Sequence, residues 1–281
     1  MAGSRRPGVP LFAVLVVSLV WAAPLLFSAP QPERTPAAAP VLSDAEIERF
    51  LLDAKILRTG RTEKGITGSM RATLTDGTRT HDAHIQTIDE SKREFQSKGG
   101  VEFNFRDSWT FNVAGYKLDR LLGLHMVPVS VPRRWNSKPA AFTWWVDDVL
   151  MDEGDRLKKK VPPPQPRSWA EQMQMVRLFD QLIYNVDRNM GNLLIGNDWR
   201  VWAIDHTRAF RTHNAPKSLD GVTRCERQVF ERLKALDFDT LRREMGPMLD
   251  TWQIKALLAR RDKIVERIES YGPTALFDRQ S

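Results

Sequence analysis

The sequence predicts an α+β fold made of two lobes, the first rich in strands and the second rich in helices. Alternating apolar and polar residues at 70–74 and 83–88, joined by the turn Asp76-Gly77, predict antiparallel strands. Helical spacing of apolar residues dominates the second half, and a charged, proline-rich segment at 152–166 separates the halves. This pattern predicts a cleft between the two lobes.

The composition excludes several classes of protein. The chain has 281 residues, of which 42% are hydrophobic and 27% charged, so it can bury a full core and is not globally disordered. Its single cysteine, Cys225, excludes an intramolecular disulfide framework and a cysteine-based metal cluster. The net charge of +7 favours anionic partners such as nucleotides, nucleic acid or anionic lipid, or serves solubility alone.

The first 40 residues have the pattern of an export signal. Arg5 and Arg6 precede an apolar stretch at 9–27, and a proline- and alanine-rich tract follows it. The stretch is also nearly long enough to cross a bilayer uncut, since about 20 apolar residues suffice. In either case the rest of the chain would lie outside the cytoplasm: periplasmic, secreted or lumenal. The expected division is a signal peptide or membrane anchor at 1–29, a linker at 30–42 and a domain at 43–281, with lobes at about 43–150 and 151–281.

Local signals mark the elements of the domain in order. A capping box at Ser43 opens a helix that runs to about Leu52. A second capping-box pattern at Ser91 predicts a short helix, which Gly99-Gly100 would end. The remaining predicted elements are a helix at 109–122 ending at Gly123, strands at 127–131 and 141–146, a helix from Ser168, strands at 193–195 and 201–204, and helices from about Cys225.

The most informative segment lies between the predicted helix from Ser168 and the end of the hairpin after it. It contains Asp187, then Asn192 five residues later, and Asp205 thirteen residues after that. Asp187 follows a helix and can accept or orient the proton of a nucleophile, while Asn192 and Asp205 offer the hard oxygen ligands that suit Mg²⁺ on nucleotide phosphates. The spacing predicts phosphoryl transfer, and the alternative is that these residues only cap turns.

The loop that carries these residues, with the tripeptide Ile-Asp-His at 204–206, resembles the atypical kinases. These include the phosphatidylinositol 3-/4-kinase-like, HipA-like and secretory-pathway Golgi casein kinase families, and the segment at 116–124 is similar to them too. The resemblance implies a bilobal protein-kinase-like fold with ATP and Mg²⁺ (or Mn²⁺) in the cleft. By position, it implies Asp187 as the catalytic residue, and Asn192 and Asp205 as metal ligands.

The resemblance also implies a nucleotide-binding set in the first lobe. Gly60, Gly65 and Gly68 would belong to the loop that covers the phosphates. Asp147 would lie in the hinge between the lobes, whose backbone would contact the adenine.

Two positions depart from the pattern of these kinases. Gln86 stands where they carry a phosphate-binding lysine, and Asn112 stands where a helix glutamate pairs with that lysine. Losing one charge would leave the other unpaired, whereas two amides can hydrogen-bond to each other, so we predict a neutral Gln86–Asn112 pair. A shift of register by a few residues would instead bring Lys92, Lys98 or Arg106 to the phosphates.

Three functions remain open from the sequence. The first is an exported or membrane-anchored kinase-like phosphotransferase whose acceptor is a protein, a lipid or a small molecule. The second is a pseudokinase-like binding module without phosphoryl transfer, which the two amides favour. The third and weakest is a nucleic-acid-binding protein, because the chain lacks any recognised motif for reading nucleic acid.

Overall fold

The computed structural model describes residues 1–3, 42–62, 69–97 and 100–279. By its contacts, the chain divides into the units Met1–Val41 and Leu42–Ser281, and all the elements below lie in the second unit. The apolar stretch at 9–27, together with Gly65, Gly68 and Lys98, lies outside the described residues. No helix within the described ranges is long and apolar enough to cross a membrane.

The first lobe is centred on an antiparallel sheet of five strands. The strands of this lobe are β1 (Lys55–Arg61), β2 (Met70–Thr75), β3 (Thr80–Gln86), β4 (Asp89–Ser97), β5 (Gly100–Ser108), β6 (Ser130–Trp135) and β7 (Lys138–Trp144). The sheet has the order β1-β2-β3-β7-β6, and β4 and β5 form a separate two-stranded hairpin. The predicted alternation in the β2–β3 hairpin is confirmed, because Ala72, Leu74, Ala83 and Ile85 are fully buried.

Two helices pack on this sheet, α1 (Asp44–Asp53) and α2 (Thr110–Leu122). The capping box at Ser43 is confirmed, since its side chain accepts from the Glu46 amide while the Glu46 carboxylate accepts from the Ser43 amide. Helix α2 ends at Gly123, whose φ of 70° is the left-handed conformation that glycine adopts without strain. Both helices therefore lie where residues at their ends predicted them.

The short helix predicted at Ser91 is wrong. Residues there form β4, which pairs with β5 along its whole length. A helix cut short by Gly99-Gly100 would offer too few hydrogen bonds to offset its nucleation. The hairpin instead stacks the rings of Phe95 and Phe105, whose centroids are 4.2 Å apart, with the Lys92 ammonium over both.

The second lobe combines helices with two small sheets. Its elements are β8 (Val149–Asp152), α3 (Glu153–Lys159), α4 (Pro166–Leu182), β9 (Leu193–Gly196), β10 (Val201–Ala203), β11 (Cys225–Glu226), α5 (Arg227–Ala235), α6 (Phe238–Met245), α7 (Thr251–Ser270) and β12 (Leu276–Phe277). The predicted β9–β10 hairpin is confirmed, and β8 adds a third strand to it. The strand predicted from 127 begins only at Ser130, as β6.

The core of the second lobe fixes the segment that follows β10. Helix α4 buries Met175, Val176 and Phe179 and packs against α7. From α7, the fully buried Arg260 donates to the carbonyl oxygens of Leu182 (2.7 Å), Arg211 and His213. These carbonyl groups would otherwise be buried without donors, so Arg260 ties the end of α4 to the loop beyond β10.

Candidate functional site

Asp187 lies on a loop whose backbone is fixed while its carboxylate is left accessible. The Asp187 amide donates to Asn185 Oδ1 (3.0 Å), and Asn185 Nδ2 donates to Asp180 Oδ1 on α4 (3.1 Å). Asn185 is buried, whereas the Asp187 side chain is 53% exposed and has Arg208 Nη1 at 3.8 Å. An acceptor hydroxyl can therefore reach this carboxylate without disturbing the loop.

Arg188 ties this loop to the rest of the site. Its guanidinium donates to both carboxylate oxygens of Asp180, at 3.0 and 3.1 Å. It also donates to the Ile204 carbonyl (2.6 Å) and the Asn192 carbonyl (3.2 Å), and it lies 3.0 Å from His206 Nε2. The largely buried Arg188 guanidinium thus fixes the distances between the Asp187 loop, the start of β9 and the end of β10.

Asn192 and Asp205 are brought together by the β9–β10 hairpin. The Ile204 amide donates to the Asn192 carbonyl (3.0 Å), so Asp205 follows directly on the residue that pairs with Asn192. Asp205 has a φ of 55°, a left-handed conformation that aspartate tolerates better than most residues. Its exposed carboxylate accepts from the Thr207 hydroxyl at 3.0 Å.

The first lobe holds the Asp205 segment by backbone hydrogen bonds. The His206 amide donates to Asn112 Oδ1 on α2 (2.8 Å), and the Ser108 amide at the end of β5 donates to the Thr207 carbonyl (2.9 Å). His206 is buried, which lowers the pKa of its imidazole well below 6.5, and the charge of Arg188 lowers this pKa further. The imidazole is therefore neutral, and its Nε2 can accept from Arg188.

The predicted Gln86–Asn112 amide pair is not formed. Both residues are buried, but Gln86 Oε1 accepts from the amides of Thr87 (3.0 Å) and Ile88 (3.1 Å), while Asn112 Oδ1 accepts from His206. No hydrogen bond joins the two side chains in the described part of the chain. Each side-chain amide instead accepts from backbone N–H groups, which are part-buried at Thr87 and Ile88 and buried at His206.

The alternative lysine positions lie on the β4–β5 hairpin or outside the described residues. Lys92 pairs with Glu90 at 2.7 Å, and Arg106 lies over the ring of Phe111. Gln86 is the last residue of β3, the third strand along the chain, and pairs with Ala141 of β7. Lys98 stays outside the described residues.

The predicted nucleotide-binding residues of the first lobe are only partly described. Gly60 lies inside β1 opposite Arg71, while Gly65 and Gly68 fall in the undescribed part of the β1–β2 connection. Asp147 follows β7, and its exposed carboxylate lies 2.5 Å from His81 Nε2 on β3. The segment after β7 is thus held to the sheet by this side chain, and its role as a hinge that contacts adenine stays a prediction.

Comparison with solved structures shows which folds this chain is similar to. A hydra Fam20 structure, described with sugar, has a TM-score of 0.62 at 17% identity, over 86% of this chain and 95% of that one. A Golgi casein kinase structure with Mn and ADP bound has a TM-score of 0.60 at 15% identity, over 84% and 78% of the two chains. The Helicobacter pylori proinflammatory kinase CtkA has a TM-score of 0.51 at 12% identity, over 80% and 96%.

The chain has a kinase-like fold. The α+β bilobal prediction and the resemblance to atypical kinases are confirmed at the level of fold. No protein-family model matches the sequence, and comparison with curated proteins found no relative.

The kinase-like cleft offers oxygen donors of the type that a divalent cation needs. Asn192 and Asp205 present an amide and a carboxylate, the hard ligands that Mg²⁺ and Mn²⁺ prefer. Within the described ranges, no group of three or more His, Cys, Asp or Glu side chains could hold a metal on its own. The residues therefore fit a cation that shares its ligands with nucleotide phosphates, as in kinases, better than a closed protein cage.

The cavities of the protein do not by themselves indicate this site. Two cavities of about 380 and 470 Å³ share the lining residues His125, Glu226 and Arg279. Neither is lined by Asp187 or Asp205. Charged and amide side chains converge at the candidate site. Phosphates are recognised by such groups, so the site is identified by its side chains.

Sequence reasoning missed four residues that shape the site. Arg188 adjoins Asp187 in the chain, so the sequence shows a cation directly beside the predicted catalytic residue. Asn185 and Asp180 had no such signal, because their bonds depend on how α4 ends. Asp107, at the end of β5, is buried beside the Asp205 segment, and the mistaken helix at Ser91 hid the strand that carries it.

Proposed function

We propose that this protein is an exported, kinase-like phosphotransferase that uses ATP with Mg²⁺ or Mn²⁺. The observation that carries the proposal is the Arg188 network, which holds the loop of Asp187, the Asn192 backbone and the Asp205 segment in one rigid unit. Fixed separation of a proton acceptor and metal-ligating oxygens is what phosphoryl transfer requires.

Each residue has a defined role in this proposal. Asp187 accepts or orients the proton of the acceptor hydroxyl, because its carboxylate is accessible and its loop is fixed. Asn192 and Asp205 would hold the divalent cation, which when bound neutralises the charge of the nucleotide phosphates. The Golgi casein kinase of the same fold, with Mn and ADP bound, supports the choice of nucleotide and metal.

Gly60, Gly65 and Gly68 would cover the phosphates, and the backbone around Asp147 would contact the adenine. The acceptor carries a hydroxyl on a protein, a lipid or a small molecule, and the net charge of +7 favours an anionic one. These assignments follow the fold and are part of the proposal.

A second candidate, a nucleotide-binding protein without transfer, is favoured by one specific observation. Gln86 and Asn112 are buried and engaged with backbone amides, so these two positions carry neither the lysine nor the glutamate that the resemblance leads us to expect there. Phosphates in this cleft would lack the usual ammonium partner, which weakens both their binding and their activation.

Metal-dependent nucleotide binding followed by transfer distinguishes these functions. Thermal unfolding should shift upward with ATP and Mg²⁺ or Mn²⁺, by about 2.7 kcal/mol at 100 times the dissociation constant, and not with ATP alone. Asp187→Asn should keep this shift and lose phosphate transfer to the protein itself and to a panel of protein, lipid and sugar acceptors. Asp198→Asn, in the β9–β10 turn, is the matched control and should keep both.

Binding without transfer in the wild-type protein would support the second candidate, and no metal-dependent shift would contradict both. Export is tested separately by fusing a reporter that is active only after translocation behind Pro40. The reporter should be active, because Arg5, Arg6 and the apolar stretch at 9–27 precede it. An inactive reporter on a well-expressed fusion would contradict export and leave the phosphotransferase proposal standing.

A further inference from the structure

Asp107 is a buried carboxylate with an unsatisfied oxygen. It lies at the end of β5, one residue before the Ser108 amide that donates to Thr207, and only 7% of its surface is exposed. Its Oδ1 is buried and has no hydrogen-bond partner among the described residues. A buried carboxylate oxygen without a donor or a cation is costly, so such a group indicates a missing partner.

The partner must lie beside Asp205. The Ser108 amide, one residue after Asp107, donates to the Thr207 carbonyl (2.9 Å), and the Thr207 hydroxyl donates to Asp205 Oδ1 (3.0 Å), so Asp107 and Asp205 both adjoin Thr207. Burial raises the pKa of Asp107 above its ordinary value, and the charge of Asp205 adds to this rise, against the Thr207 hydrogen bond and the charge of Arg208.

Neighbouring cations are already engaged elsewhere. Arg208 and Arg211 both form ion pairs with Glu102, and Arg208 also pairs with Asp187. Lys92 pairs with Glu90, which lies opposite Asp107 on the paired strand β4. His84, on the cleft side of β3, hydrogen-bonds Ser69, and burial lowers the pKa of its imidazole, so it is a weak source of positive charge. Two converging carboxylates with no committed cation fit a divalent metal ion.

Asp107 also supplies the first lobe with a negative charge that Asn112 does not provide. Asn112, on α2, is neutral and holds the His206 amide, so it cannot serve as an acidic group at the phosphates. Asp107 lies five residues before it, and both side chains reach the segment 205–207. The hairpin strand β5 thus supplies the acidic group that α2 does not.

We propose that Asp107 is a ligand of the nucleotide-bound divalent cation, facing Asp205 from the first lobe. This rests on the proposed function, since the cation is the one that accompanies ATP. With Asn192 and Asp205, Asp107 would give the cation three protein oxygen groups from both lobes. The metal would then link the lobes directly, and closure of the cleft would depend on it.

The test compares metal affinity with the stability of the metal-free protein. Mn²⁺ binding is measured by titration calorimetry and by the loss of the free Mn²⁺ paramagnetic resonance signal, with saturating ADP. Asp107→Asn should weaken Mn²⁺ binding by about 10- to 100-fold. In the absence of metal, the same variant should unfold at the same temperature as the wild type or a higher one, because the amide removes the repulsion with Asp205.

Glu94→Gln is the matched control, since it removes one negative charge from the same strand β4 at a position opposite Phe103. It should change neither the Mn²⁺ affinity nor the unfolding temperature. A merely structural role for Asp107 predicts the opposite pattern for Asp107→Asn: a lower unfolding temperature without metal and unchanged Mn²⁺ affinity.

The outcomes separate this inference from the proposed function. If the wild type binds Mn²⁺ and ADP and Asp107→Asn binds them equally well, the inference is overturned and the phosphotransferase proposal stands. If the wild type binds neither Mn²⁺ nor ADP, both are overturned. Binding of Mn²⁺ and ADP by the wild type, with a selective loss of Mn²⁺ affinity in Asp107→Asn, supports both.

Discussion

The two sides of the cleft follow different designs. On the side of the second lobe, Arg188 makes six hydrogen-bonding contacts, to Asp180, to the carbonyl groups of Asn192 and Ile204, and to His206. On the side of the first lobe, Gln86 and Asn112 are neutral and satisfy backbone amides. The comparison teaches that a kinase-like fold can keep the architecture of its cleft while the first lobe contributes hydrogen bonds in place of a charge pair.

The largest expected effect tests how strongly the second lobe depends on Arg188. Arg188→Ala leaves the buried Asp180 carboxylate without its cation, so the free energy of unfolding should fall by about 3–5 kcal/mol. Urea unfolding measures this change. Arg227→Ala, which breaks an exposed pair with Asp278, is the control and should change the free energy by at most about 1 kcal/mol. Equal effects of the two variants would contradict the central role of Arg188.

The next prediction separates metal binding from folding on the same side. Asp205→Asn keeps a residue that tolerates the left-handed backbone and an oxygen for the Thr207 hydroxyl, so the fold should persist. Loss of the carboxylate should weaken Mn²⁺ binding with ADP by about 100-fold, measured by calorimetry. Asp198→Asn should bind like the wild type. Unchanged Mn²⁺ affinity in Asp205→Asn would show that the second lobe does not hold the metal as we propose.

The third prediction tests the first lobe. Asn112→Ala removes the acceptor of the buried His206 amide, which should lower the free energy of unfolding by about 1–3 kcal/mol. Because Gln86 bonds to different groups, the double variant with Gln86→Ala should equal the sum of the single variants within about 0.5 kcal/mol. A larger coupling free energy between the two positions in the same unfolding experiments would indicate that the two amides interact directly.

The smallest effect is a dependence on pH. The folded pKa of His206 lies well below 6.5 because the ring is buried, so the unfolded chain takes up a proton first as the pH falls. Stability is therefore fully present above pH 6.5 and is lost below it, by up to about 1.4 kcal/mol per pH unit for this group. Urea unfolding between pH 7 and pH 5 measures the slope. In His206→Gln the slope should be shallower, and an unchanged slope would assign the effect to other groups.

Predictions from sequence succeeded where local chemistry decides the structure. The capping box at Ser43, the glycine end of α2 and the β9–β10 hairpin depend on residues a few positions apart, and all three are confirmed. The spacing of Asp187, Asn192 and Asp205 is also local, because one loop and one hairpin carry all three, and their roles stay a prediction. The helix predicted at Ser91 is wrong. Its capping pattern involves only neighbouring residues, whereas the strand is favoured by the stacking of Phe95 on Phe105, ten residues further along the chain.

By itself, the sequence determined the α+β order of elements and the candidate residues of the second lobe, because short-range hydrogen bonds and turn residues specify both. Only the tertiary structure decided what faces them. The bonds of Gln86 and Asn112, the Arg188 network and the approach of Asp107 to Asp205 join residues distant in the chain or depend on how α4 ends. Such contacts form only when the lobes are packed and buried polar groups must find partners, which no local pattern records.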